Sequence, residues 1–144
     1  MSSVVAPHDA IEIQADHKII RRINPKQHIV FDKNRGYNRI SSKAFKPSSG
    51  PNGGMSVDLE ARIRAEGHDP KIYVTTPVFT GSVFFKACDV RALALWIGYD
   101  PLPDNPSHGE VWGSPRPNRF RRDQVSGLQQ TAKWYVSLQD VEIR

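Results

Sequence analysis

The chain reads as a single α+β domain, with one twisted, largely antiparallel sheet and two or three helices. Three observations predict this. Its 144 residues can bury one real core but not two. Its 11 prolines and 10 glycines imply short elements joined by many loops. Strand-like apolar runs alternate with single helical patterns, without the regular βαβ spacing of a doubly wound fold.

In chain order, residues 1–10 are expected to be a flexible N-terminus, and residues 11–144 the domain. "AIEIQA" alternates and predicts a short strand at 11–14. "HKIIRRINPKQHIVFD" predicts strand, Asn24-Pro25 turn, strand. "KNRGYNR" is a turn around Gly36, and "ISSKAF" a short extended piece offering Ile40 and Phe45 to the core. "KPSSGPNGG" at 46–54 predicts a mobile surface loop. The next stretch, "SVDLEARIRAEG", predicts a helix with Ser56 as N-cap, Asp58 and Glu60 at its positive end, Leu59 and Ile63 on one face, and Gly67 as its stop.

"KIYVTTPVF" is rich in strand formers, with Pro77 at an edge or an end. Beyond it the expectation is a strand near 82–86, a short helix near 88–94, and strands near 94–98 and 108–112. A basic loop, a helix near 122–132 and a closing strand through Trp134, Val136 and Leu138 complete the chain. Trp96, Trp112 and Trp134 are expected to pack in the core.

Composition narrows the function. No run is long and apolar enough for a membrane span, and "MSSVVAPHDAIEIQ" lacks a basic-then-apolar signal pattern. The single cysteine, Cys88, cannot form an internal disulfide and lies in an apolar stretch, so a buried thiol in a reducing cytoplasm is expected. The net charge of +5 is unevenly spread. Residues 17–46 hold nine Lys or Arg against Asp32 alone, and residues 116–144 hold six against three acids, while the stretch between carries eight acids against five basic groups. Such asymmetry points to polyanions, or simply to a solvated surface. "PNGG" is not a P-loop, no G-x-S-x-G elbow is present, and no Cys or His pairing marks a metal site, so neither a metal nor another cofactor is expected.

Two constellations can carry chemistry. In "DKNRGYNRISSKAF", Arg35, Arg39, Ser41 and Ser42 suit a phosphate, since guanidinium forks and hydroxyls together satisfy several oxygens. The plain alternative is a hairpin whose Arg pairs with Asp32 and whose serines cap the backbone. In "DPLPDNPSHGEVWG", three prolines stiffen the approach to His108, and a strand there puts His108 and Glu110 on one face. His108 then suits a general base, with Glu110 or Asp100 orienting it. The alternative is a histidine that caps a turn. A third stretch, "SPRPNRFRRDQ", gathers Arg116, Arg119, Arg121 and Arg122 around Phe120, a footprint for single-stranded nucleic acid. Alternatively, Phe120 staples the following helix to the core.

Taken together, "RISSKAF", "MSVD" and "DPLPDNPSHGEVWG" resemble a group of small uncharacterised bacterial proteins that share RxSSxAF and DPxPxxPxHxxVxG segments. The resemblance implies that Arg39, Ser41, Ser42, Phe45, Asp100, Pro106, His108 and Gly113 belong to the group's signature, and it supplies no activity. The leading expectation is therefore a cytoplasmic binding or accessory module that contacts nucleic acid or another phosphate-bearing partner. The first alternative is a small enzyme acting on a nucleotide or nucleic acid, with His108 as base. The second is a protein-interaction component of a toxin, phage or mobile-element system.

Overall fold

In the computed structural model, which describes residues 5–50 and 53–144, the chain forms a six-stranded antiparallel sheet and a small three-stranded sheet. The first strand, β1 (Lys18–Ile23), is apolar except for Lys18 and its two arginines. Asn24 caps a one-turn helix, α1 (Pro25–His28), by accepting from Lys26 N–H, and Pro25 presets its first φ. The chain returns as a hairpin, β2 (Ile29–Asp32) and β3 (Tyr37–Ile40), turned at Gly36 with φ +78°. Ser41 then caps a 3-10 turn, Ser42–Phe45, where an extended piece was expected. That turn buries Ala44 and Phe45.

The largest correction lies at 55–65. "MSVDL" is a strand, β4 (Met55–Leu59), and the helix α2 (Glu60–Ala65) starts four residues beyond Ser56. Met55, Val57 and Leu59 alternate into the core, and this period-2 burial outweighs the capping signal at Ser56. "KIYVTTPVF" is likewise not a strand: Asp69 caps α3 (Pro70–Val74), accepting from Lys71 and Ile72 N–H. Strand β5 (Gly81–Lys86), helix α4 (Ala87–Arg91), strands β6 (Trp96–Tyr99) and β7 (His108–Trp112), helix α5 (Arg122–Thr131) and strand β8 (Lys133–Val136) lie within a few residues of expectation. A final short strand, β9 (Val141–Glu142), pairs parallel to β3.

The large sheet runs β6-β7-β4-β1-β5-β8, and the small one β2-β3-β9. The main core fills one face of the large sheet, around Phe45, Phe85, Val57 and Leu128. A smaller cluster of Ile20, Ile63, Val74 and Tyr135 covers part of the other face.

Residues 11–16 form turns rather than a strand. Asp9 and Ala10, expected to be flexible, are tied down: Ala10 N–H donates to the Ile97 carbonyl, and Asp9 accepts from Ile97 N–H and Arg91; residues 1–4 lie outside the described residues. Cys88 is exposed, not buried. Trp112 is wholly buried, Trp134 is half-buried against the core, and Trp96 is 40% exposed on the outer strand.

Candidate functional site

Three neighbouring strands of the large sheet, β7, β4 and β1, meet at a cleft of about 570 Å³. Arg21, Arg22, Ser48, Ser56, Asp58, Tyr73, Asp100 and His108 are among its lining residues. Pairing sets the register of its floor: Ser56 stands opposite Glu110 and Asp58 opposite His108. Along each strand these positions alternate with the core residues Val57, Leu59 and Val111, so the polar groups share the face turned away from the main core.

The proline-rich turn holds His108 by its main chain. Leu102 and Asn105 exchange two backbone hydrogen bonds, His108 N–H donates to the Asn105 carbonyl, and Asp100 N–H donates to the His108 carbonyl. The ring is fixed as well. Nδ1 lies 2.8 Å from the Asp100 carbonyl oxygen, which can only accept, so Nδ1 carries the proton in the neutral ring. Nε2 is left with a lone pair, and the Ser56 hydroxyl donates to it at 2.6 Å. The Asp100 carboxylate is 3.4 Å from Nδ1.

Glu110 lies behind this pair, wholly buried, with Oε2 3.8 Å from His108 Nε2. It accepts from the Ser49 hydroxyl at 2.8 Å and from Gly54 N–H at 3.2 Å. Burial raises its pKa, and these two bonds together with His108 oppose the rise. Gly54 makes the second bond possible: a Cβ there would fall 2.2 Å from the Val111 carbonyl oxygen.

Arg21 occupies a gap in the sheet. The β1–β4 ladder carries the pairs Ile19↔Leu59 and Ile20↔Asp58. Next to it, the Ser56 carbonyl accepts from Arg21 Nη1 at 2.9 Å instead of from a strand. Nε donates to the Ala44 carbonyl and Nη1 to the Ser48 hydroxyl. Burial pulls the guanidinium down to about 10, and Glu110 and Asp58 pull the other way. Arg22 forms a bidentate pair with Asp58 at 2.8 and 3.2 Å, and Asp58 also accepts from Asn105, which in turn accepts from Tyr73. His28, at the cationic end, is driven down to about 4 by burial and then by Arg21, and its Nδ1 accepts from Asn24 N–H.

Asp100, His108 and Glu110 offer ligand atoms within 4.8 Å of one another. To hold a cation, the trio would have to surrender the bonds to Ser56, Ser49 and Gly54, beside a buried guanidinium. The donor set fits a proton and hydroxyl site better than a metal centre.

The RxSSxAF residues lie elsewhere. Arg39 Nε donates to Asp32 at 2.9 Å and Nη1 to the Ile40 carbonyl. Arg35 donates to the Tyr37 hydroxyl, Ser41 caps the 3-10 turn, and Ser42 is exposed. None of the four lines the cleft. Its arginines are Arg21 and Arg22 instead, and their signal in the sequence was a charged pair set inside the apolar run "KIIRRI". In the basic loop, Phe120 packs against the core, Arg121 pairs with Asp123, and Gln124 accepts from Arg121 N–H. Arg116, Arg119 and Arg122 are exposed. Compared with protein-family models, curated proteins and solved structures, the chain gives no match.

Proposed function

We propose that the protein is a small enzyme acting on a phosphate-bearing nucleotide, with its chemistry at the sugar rather than at phosphorus. The observation that carries this reading is the convergence, from three adjacent strands, of a buried guanidinium (Arg21), a hydroxyl–imidazole pair (Ser56–His108) and a wholly buried carboxylate (Glu110). A phosphate seats on Arg21, with Arg22 beside it. Glu110 stands behind the cleft wall, 3.8 Å from His108 Nε2, so it acts through its charge and not by contact: it repels phosphate oxygens and favours positive charge developing in the cleft, as at a sugar carbon losing its base through an oxocarbenium-like state. His108, through the Ser56 hydroxyl, takes the proton of an attacking water or acceptor hydroxyl, whose oxygen bonds the sugar carbon while the departing base keeps the C–N pair and takes up a proton from solvent. The cleft volume of about 570 Å³ suits a ligand of nucleotide size.

The test is to incubate the protein with nucleoside mono- and diphosphates and with dinucleotides, and to separate the products. Release of free base, lost in Glu110→Gln, supports the reading. Release of inorganic phosphate, or no turnover of any of them, overturns it. A second reading, nucleic-acid binding, is favoured by the exposed Arg116, Arg119 and Arg122. Its mark is an affinity that falls steeply with salt and is untouched by Glu110→Gln.

A further inference from the structure

Strand β2 is the outer strand of the small sheet, and among the described residues no strand lies on its free side. The antiparallel ladder decides which of its groups are open. Ser41 N–H donates to the His28 carbonyl, so the pairs Val30↔Arg39 and Asp32↔Tyr37 fall in the same hydrogen-bonded class. The peptide groups of Ile29 and Phe31 therefore point away from β3. The side chains here are open too: Phe31 is 61% exposed and Val30 38%. The other exposed large apolar residues, Ile11, Ile72, Val78 and Trp96, sit on separate segments, so this edge is where two are consecutive.

Proteins blunt an open edge by placing charge or proline on the strand itself. Here the strand offers only Asp32, already held by Arg39, and cationic residues flank it along the chain instead. Lys26, Lys33, Arg35 and Lys43 are all exposed. We propose that β2 is a docking edge for an extended segment of a partner protein, one that alternates apolar with acidic residues. The segment adds a fourth strand to the small sheet. Its main chain bonds to the peptide groups of Ile29 and Phe31, its apolar side chains lie on the face of Phe31, and its carboxylates meet the flanking lysines. A second copy of this chain is the poorer occupant, because pairing β2 with itself sets like-charged rims against each other.

The test is selection from a displayed library of random octapeptides on the full chain, followed by binding of the synthetic consensus peptide. Enrichment of acidic, alternating sequences is expected. The consensus peptide should slow amide exchange at Ile29 and Phe31, and bind at least about tenfold more weakly to Phe31→Ser and to the double variant Lys26→Glu/Lys33→Glu. Unchanged melting temperatures show that both variants keep the fold. No enrichment, a basic or proline-rich consensus, binding that survives both variants, or a wild-type dimer dissolved by Phe31→Ser overturns the proposal. Because β2 stands outside the cleft, each of these outcomes is independent of nucleotide turnover.

Discussion

The hydroxyl of Ser56 stands 2.6 Å from Nε2 of His108, and the carbonyl of Asp100 decides which of them holds the proton. With Nδ1–H committed to that carbonyl, Nε2 can only accept. Two substitutions divide this relay. Ser56→Ala removes one half-buried hydroxyl, at a cost of about 1 kcal/mol of stability, and lowers kcat by about 10²-fold or more. His108→Asn keeps a donor towards Asp100 but has no group at the Nε2 position, and it loses activity to a similar extent. Product release and thermal melting on the same preparations check both. A Ser56→Ala enzyme with wild-type kcat removes Ser56 from the chemistry.

Glu110 carries the opposite signature. Its pKa is raised by burial, so its cost to folding grows as the pH rises above the ordinary 4.5 and is complete above the folded-state value. Glu110→Gln is therefore expected to abolish base release while the melting temperature at pH 7 stays level or rises. A fall of many degrees would make Glu110 a structural anchor for Ser49 and Gly54 instead.

His28 sets an acid limit. Folded, it takes its proton near pH 4; unfolded, near its ordinary 6.5. Between those values the unfolded chain binds the extra proton, so the contribution is full above 6.5 and is lost as the pH falls through 4. The loss is on the order of 3 kcal/mol at most. His28→Asn keeps an acceptor for Asn24 N–H, and it should flatten the stability curve between pH 4 and 6.5. Urea midpoints across that window measure the difference.

Arg21 and Arg39 make a matched pair for phosphate affinity. Arg21→Lys keeps the charge but not the fork that reaches Ala44, Ser48 and Ser56. It should weaken nucleotide binding by about tenfold or more. Arg39→Ala breaks a pair with Asp32 outside the cleft and should leave affinity unchanged. Titration calorimetry with a nucleoside diphosphate separates them, and equal effects would refute the placement of the phosphate at Arg21.

Phe120 is half-buried against the core, and it tests the basic loop. Phe120→Ala should cost about 2 kcal/mol of stability. Reversing the charges of Arg116 and Arg119 should leave melting unchanged, and weakened RNA binding in that variant would locate the polyanion surface there.

What could be read in the sequence was whatever depends on neighbours along the chain. The period-2 spacing of His108 and Glu110 put both on one strand face, and the prolines before them marked a rigid turn. At Ser56, Ser-x-Asp-x-Glu ahead of an apolar residue has the form of a helix start, and only the burial of Val57 and Leu59 distinguishes a strand. Arg39 and Arg21 show the other limit. Both are arginines in strands, and the outcome turned on which sheet each strand joins, a pairing between residues 36 positions apart in the case of Arg22 and Asp58.

The serines of the 46–50 segment have a consequence for affinity. Ser48 and Ser49 already supply hydroxyls to Arg21 and Glu110, so these two charges meet a ligand with partners in place. Binding is then an exchange of one set of hydroxyls for another. Only the difference between the two sets appears as free energy. If the proposed turnover holds, a cleft arranged in this way would take its substrate loosely and release its product quickly, with its strongest interactions reserved for the charge that appears midway through the reaction.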